Sequence, residues 1–82
     1  MYKVAVVDDE PGALSILKQM VNNISGYEVV EEISNARNLP EKIISLKPDV
    51  LFLDIHLGEI SGVDIARQLY DMHCESRIVF VS

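Results

Sequence analysis

The stretch Val50-Leu51-Phe52-Leu53-Asp54 decides the fold, because four large apolar residues run directly into a carboxylate. A short, unbroken apolar run is typical of a strand covered on both faces, as strands of parallel sheets are. The same pattern opens the chain, where Val4-Ala5-Val6-Val7 runs into Asp8-Asp9-Glu10, and it recurs where Ile78-Val79-Phe80-Val81 precedes Ser82. The runs 4–7 and 50–53 predict buried strands, and the run 78–81 predicts a further strand of the same parallel sheet, each with polar residues at its carboxyl end.

Helical patterns fill the intervals between the strands. Apolar residues at three- and four-residue spacing predict a first helix from Pro11 to Ile24, ended by Ser25-Gly26. Its expected apolar face consists of Ala13, Leu14, Leu17, Met20, Val21 and Ile24. A second helix is predicted after Asn35 or Asn38, either of which can cap it. A loop is predicted over 56–61, followed by a third helix over Gly62–Met72. The mixed segment 27–33 indicates an edge strand. The order β-α-β-α-β-α-β predicts one α/β domain over residues 1–82, with right-handed crossovers and a parallel sheet.

Composition excludes several classes of protein. The chain has 82 residues and a formal net charge of −6, which disfavours direct nucleic-acid binding by this segment. The one cysteine, Cys74, cannot form an internal disulfide, and no apolar run approaches the length of a membrane span. We therefore expect a soluble, cytoplasmic domain with no membrane partner.

Polar residues are expected to meet at the carboxyl edge of the sheet, where open α/β sheets bind ligands. Asp8 and Asp9 follow the first strand, Asp54 ends the third, and Ser82 ends the fourth. Grouped carboxylates repel one another unless a cation is present, and an all-oxygen site with few ligands suits Mg²⁺. Each acid alone also fits an ordinary strand end or helix start. This explanation fits Asp54 least, because burying an unpaired carboxylate beside four apolar residues costs free energy.

The segments 6–11 (Val-Val-Asp-Asp-Glu-Pro), 51–55 (Leu-Phe-Leu-Asp-Ile) and 79–82 (Val-Phe-Val-Ser), with Gly62, resemble the receiver domain of two-component response regulators. The resemblance implies a flavodoxin-like parallel sheet with strand order 2-1-3-4. It also implies the site residues: Asp54 as phospho-acceptor, Ser82 as the hydroxyl that contacts the phosphoryl group, and Mg²⁺ held by Asp8, Asp9, Asp54 and the main-chain carbonyl of His56.

The function that this resemblance implies is phosphorelay signalling rather than enzymatic turnover. A carboxylate can attack a phosphoryl group to form an acyl phosphate, and the family's donor is a phosphohistidine on a sensor histidine kinase. The modified site then biases a two-state switch. The sequences of residues 7–11 and 53–66 look most like those of receivers joined to LytTR-type DNA-binding domains. The full-length protein is therefore expected to regulate transcription through a separate domain.

Two departures from the family pattern stand out. Gly58 occupies a position that is usually proline, and Ser82 ends the chain before the family's fourth helix, its fifth strand with a lysine, and its fifth helix. We therefore expect a truncated receiver that completes itself as a homo-oligomer or by domain swapping.

Three other functions fit parts of the sequence. Asp54-Ile55-His56 with Gly58 partly matches the signature of cobalamin-binding domains, although the glycine falls one residue early. A haloacid-dehalogenase-like phosphatase would use Asp8 as nucleophile, but Glu10 matches its second aspartate poorly. The third alternative is a receiver-derived protein-interaction module that is not phosphorylated in this truncated form.

Overall fold

The computed structural model describes residues 1–81 and confirms the predicted alternation of strands and helices. One addition is a short hairpin in the segment 56–61, where the sequence predicts a loop. Ser82 lies outside the described residues. In chain order the elements are β1 (Tyr2–Val7), α1 (Pro11–Asn22), β2 (Tyr27–Ile33), α2 (Leu39–Leu46), β3 (Val50–Asp54), β4 (His56–Leu57), β5 (Ile60–Ser61), α3 (Gly62–Asp71) and β6 (Arg77–Val81).

The four long strands form one parallel sheet in the order β2-β1-β3-β6. Since β6 is the fourth long strand, the predicted order 2-1-3-4 is confirmed. Strands β1 and β3 lie side by side at the centre, with Val7 paired to Leu53. The residues that follow this pair, Asp8 and Asp54, therefore leave the sheet at the same level.

Both faces of the sheet bury apolar side chains, as the unbroken run in β1 predicts. Ala5 and Val7 point to the face covered by α2 and α3, whereas Val4 and Val6 point to the face covered by α1. All four are fully buried. Strand β1 is therefore held from both sides, which makes its carboxyl end a rigid base for side chains. Strand β3 is fully buried only towards α2 and α3, because Val50 and Phe52 on its other face are half-buried, so the two-sided burial predicted for this strand is incomplete.

Two local predictions differ from the structure. Met20 and Ile24 were expected on the buried face of α1, yet they are 61% and 53% exposed, so the buried stripe is narrower than its spacing predicts. Asn38 occupies the position before α2 with a left-handed φ of 52°, and its side chain caps no amide. The side chain of Asn35 instead accepts a hydrogen bond from the Arg37 amide at 2.9 Å, which stabilises the loop rather than the helix.

None of the helices within residues 1–81 combines the length and the apolar character needed to cross a lipid bilayer.

Candidate metal centre

Three carboxylates meet at the carboxyl edge of the sheet. Asp8 and Asp9 follow β1, and Asp54 is the last residue of β3. One oxygen from each of the three lies within 4.8 Å of the others. The sequence prediction that these acids converge is therefore confirmed, whereas Glu10 stands at the start of α1 and is not part of the group.

Main-chain amides orient all three carboxylates. Asp8 Oδ1 accepts the Glu10 N–H at 2.9 Å, and Asp54 Oδ1 accepts the His56 N–H at 3.1 Å, so each acid bonds an amide two residues further along. Asp9 differs, because its Oδ2 accepts the Gly58 N–H at 3.0 Å from a distant part of the chain. Each carboxylate has a second oxygen and further lone pairs, which leaves capacity for another ligand.

The charge of this group fits a hard divalent cation. Within residues 1–81 the three acids are the only group of metal-ligating side chains, and all of their donor atoms are oxygen. Carboxylate oxygens are the ligands that Mg²⁺ and Ca²⁺ prefer, and Mg²⁺ commonly keeps several waters beside one or two carboxylates. The residues present therefore fit the magnesium ion that the sequence predicts.

Burial and neighbouring acidic groups raise the pKa of Asp8. Its side chain is buried, and this burial is the largest cause of the rise in the Asp8 pKa above the ordinary value of 3.8. The Glu10 amide lowers the pKa, whereas the charge of Asp54, a hydrogen bond shared with Asp54, and the charge of Asp9 all raise it. Without a cation, ionised Asp8 therefore opposes folding.

We expect Asp8→Asn to raise the free energy of unfolding at neutral pH when divalent cations are chelated. The folded-state pKa of Asp8 lies above its unfolded value, so Asp8 favours folding below about pH 4 and loses that contribution as the pH rises through the folded-state pKa. Asparagine retains an oxygen for the Glu10 amide. The stability difference between variant and wild type should therefore grow from acid to neutral pH in chemical denaturation.

A matched control is Asp71→Asn, which changes an exposed acid at the end of α3. It should show no comparable growth with pH. Adding Mg²⁺ should stabilise the wild type and the Asp71 variant while leaving Asp8→Asn nearly unchanged, because ligand binding stabilises only a competent folded state. A metal-free wild type more stable than Asp8→Asn at neutral pH would contradict the prediction.

The start of α3 packs tightly against the end of β3. Gly62 is buried, and its N–H donates to the Ile55 carbonyl at 2.6 Å. A Cβ at Gly62 would collide with the Asp54 carbonyl oxygen and would lie 3.0 Å from the carbonyl carbon of the same residue. Glycine is therefore required here for close approach, and this contact fixes the backbone that carries Asp54.

The sequence pattern does not predict the hairpin β4–β5. His56 pairs with Ser61 and Leu57 with Ile60, which leaves Gly58 and Glu59 as a two-residue turn. Gly58 has a φ of +63°, the conformation required at the first central position of a type II′ turn. The sequence signal for this turn is a glycine as the first of two residues between Leu57 and Ile60. The flanking strands are too short to show the alternating pattern that would predict a hairpin.

The remaining predicted site residues have different outcomes. His56 donates its amide to Asp54 and lies exposed in β4, while the predicted role of its carbonyl stays a prediction. Ser82, the predicted phosphoryl contact, lies outside the described residues. The strand that leads to it does reach the site, because Val81 pairs with Asp54 and its carbonyl accepts the Ile55 N–H at 3.0 Å.

Comparison with known proteins gives consistent matches. A family model described as response regulator receiver domain matches residues 4–82. The transcriptional regulatory protein BtsR of Escherichia coli is 42% identical over 82 residues, which are 100% of this chain and 34% of BtsR. The chain spans about a third of the length of the curated relatives that it matches.

Solved structures share the fold. The response regulator domain of Thermotoga maritima CheB superposes with a TM-score of 0.89 at 28% identity, over 100% of this chain and 60% of that one. The response regulator TrrA of Thermotoga maritima, solved in complex with Mg²⁺-BeF, gives a TM-score of 0.85 at 30% identity, over 98% of this chain and 68% of that one.

Proposed function

Because this chain belongs to the family of response regulator receiver domains of two-component signalling, we propose that it accepts a phosphoryl group on Asp54. The proposed donor is a phosphohistidine on a sensor histidine kinase. The proposed metal ligands are Asp8, Asp9, Asp54 and the main-chain carbonyl of His56, with Ser82 as the hydroxyl that contacts the transferred group.

The observation that carries this proposal is the placement of Asp54 beside the other two acids, where β3 ends. Asp54 is half-buried and its Oδ1 accepts a hydrogen bond from the His56 amide. The close approach of Gly62 to the Asp54 carbonyl group restrains the main chain of Asp54. A carboxylate held in one orientation can attack in line, and positioning supplies much of the catalysis of phosphoryl transfer. Because Asp54 is half-buried whereas Asp8 is buried, accessibility favours Asp54 as the nucleophile over Asp8, which a phosphatase of the haloacid dehalogenase type would use.

The proposed reaction exchanges one phosphorus bond for another. An oxygen of Asp54 attacks the phosphorus, the phosphorus–nitrogen bond of the phosphohistidine breaks, and the histidine nitrogen keeps the electron pair and later takes a proton. When bound, Mg²⁺ supplies positive charge that offsets repulsion between the carboxylates and the phosphoryl oxygens. Asp8 and Asp9 hold that cation, and the buried side chains of β1 keep their backbone in place.

The metal centre borders open surface, which a donor carried on a partner protein requires. A surface groove of about 720 Å³ borders the metal centre between the β2–α2 loop and the hairpin, and its lining includes Asp9, Arg37 and Gly58. The groove is open to solvent and the edge of the acidic group is exposed at Asp9. Asp8 and Asp54 do not line this groove, so it gives access to the Asp9 side of the metal centre.

The proposal extends to the longer protein of which such a domain is a part. We propose a cytoplasmic response regulator whose output is transcription, through a separate DNA-binding domain of the LytTR type. Support comes from BtsR, which is named a transcriptional regulatory protein and matches this chain over a third of its length. The excess of acidic residues in this chain also assigns nucleic-acid contact to another domain.

The experiment that tests this function is incubation of the chain with Mg²⁺ and a small phosphodonor such as acetyl phosphate. Intact-mass spectrometry should show the addition of one phosphoryl group, and peptide mapping should place a hydroxylamine-labile adduct on Asp54. No added mass, in a chain that still binds Mg²⁺, would contradict the proposal and favour the alternative of an interaction module that is not phosphorylated.

We also propose self-association of the 82-residue form through β6. Within residues 1–81 this strand pairs only with β3, and Val79 and Phe80 are 37% and 45% exposed. A strand edge with exposed apolar side chains is a template for pairing with another chain. Sedimentation velocity at micromolar concentration should detect a dimer or larger species, and a monomer at every concentration would contradict this part of the proposal.

A further inference from the structure

The hairpin β4–β5 contacts the metal centre through two main-chain amides, that of His56 at its start and that of Gly58 at its turn. The Gly58 N–H donates to Asp9 Oδ2 at 3.0 Å, across 49 positions of the sequence. Asp8 and Asp54 bond amides of their own loops, only two residues away. Asp9 is thus the one acid of the three whose amide partner belongs to a different segment of the described chain.

We propose that the main-chain N–H of Gly58 is a positioning group for Asp9 as a metal ligand; this inference rests on the proposed function. Asp9 is exposed, so packing does not select one rotamer for its side chain. A hydrogen bond to a fixed amide reduces that freedom before the cation arrives. The second oxygen of the carboxylate and its remaining lone pairs stay available for the cation.

The hydrogen-bond partners of metal ligands affect the affinity of a site for its metal ion. Losing a hydrogen bond that orients a ligand commonly weakens metal binding by about 10–100-fold. Asp9 is held only from the hairpin among its described contacts, so the closed hairpin and the metal-ready rotamer of Asp9 depend on each other. Closure of a two-residue turn is therefore coupled to the affinity of the metal centre.

The residue at position 58 decides whether this amide exists. Gly58 has a φ of +63°, and a Cβ at this position would meet no atom within 4 Å. L-proline fixes φ at about −65° and has no N–H, so it can neither adopt the positive φ of this turn nor donate the hydrogen bond. A residue with positive φ and an intact N–H can supply both. The turn and the amide are separable only if the backbone conformation is kept while the N–H is removed.

D-amino acids allow that separation in a chain made by chemical ligation. Gly58→D-Pro keeps a positive φ and the type II′ turn but removes the N–H, whereas Gly58→D-Ala keeps both. We expect isothermal titration with Mg²⁺ alone to show about tenfold weaker binding for Gly58→D-Pro. Gly58→D-Ala should stay within about twofold of wild type, since the hydrogen bond is retained. Equal affinity of the two variants overturns the inference.

Amide hydrogen exchange gives a second measurement that does not depend on the variants at position 58. In the wild type without metal, the Gly58 amide should exchange slowly, and Asp9→Ala should speed its exchange while the Glu10 and His56 amides stay protected. Fast exchange of the Gly58 amide in the wild type overturns the inference as well. Conservation of the His56–Ser61 pairing in nuclear Overhauser spectra shows that the hairpin itself is intact.

The proposed function and this inference fail in different ways. Magnesium binding that depends on the Gly58 amide, in a chain that takes up no phosphoryl group, contradicts only the proposed function. Phosphorylation of Asp54 with equal Mg²⁺ affinity in the two D-residue variants contradicts only the inference.

Discussion

Gly62→Ala is expected to lower the free energy of unfolding by about 3 kcal/mol or more, against a total of about 4–12 kcal/mol for a chain of this size. The added Cβ would collide with the Asp54 carbonyl oxygen and crowd the Ile55 Cα at 3.1 Å. Both obstacles are backbone atoms of the central strand end, so neither can rotate away. Chemical denaturation followed by circular dichroism measures the loss.

Helix propensity alone predicts the opposite sign. Alanine is favoured over glycine in helices by about 1 kcal/mol, and Gly62 is the first residue of α3. The collision outweighs this preference because relief requires α3 to move away from β3, which breaks the 2.6 Å bond from Gly62 to the Ile55 carbonyl. A stabilised Gly62→Ala protein would contradict the close approach described for this helix.

Gly12→Ala is the matched control. Gly12 is also near the start of a helix, in α1, but a Cβ there would meet only the flexible Glu10 side chain at 3.8 Å. No steric clash opposes the higher helix propensity of alanine at this position. The free energy of unfolding should therefore rise by about 0.5–1 kcal/mol. The two substitutions are chemically identical and should change stability in opposite directions, which separates backbone crowding from a general effect of alanine.

The sheet and the acidic group could be predicted from the sequence because both follow from unbroken apolar runs that end in carboxylates. An unbroken apolar run is typical of a central strand, and the run 4–7 is indeed fully buried, whereas in the run 50–53 only Leu51 and Leu53 are. Parallel strands carry their carboxyl ends to one edge, so Asp8 and Asp54 come together provided that β1 and β3 are neighbours, as they are in this sheet.

The features that were missed depend on the path of the backbone rather than on side-chain pattern. The hairpin has only two residues in each strand, too few for an alternating pattern, and its contact with Asp9 spans residues far apart in sequence. The need for glycine at position 62 arises from the approach of α3 to the Asp54 main chain. Such approaches are decided by tertiary packing, and spacing along the chain does not encode them.

Asp54→Asn is expected to abolish phosphoryl incorporation from a small phosphodonor, with no residual adduct at position 54. The amide group has no anionic oxygen to attack phosphorus, so the acyl phosphate cannot form. The fold should persist, because the Asn oxygen can still accept the His56 N–H that Asp54 Oδ1 accepts at 3.1 Å. Intact-mass spectrometry in the presence of Mg²⁺ provides the measurement, and thermal denaturation verifies the fold.

Asp49→Asn removes an acid that lies just before β3, at the opposite end of the strand from Asp54. Its Oδ2 accepts the Lys3 amide at 2.7 Å, a bond that an asparagine oxygen can also make. Because Asp49 is remote from the metal centre, this control should incorporate phosphate as the wild type does. Equal incorporation by Asp54→Asn and the wild type would instead place the acceptor on another residue. Loss of incorporation in both variants would mean that net charge or stability causes the loss, because the two substitutions change the formal charge identically.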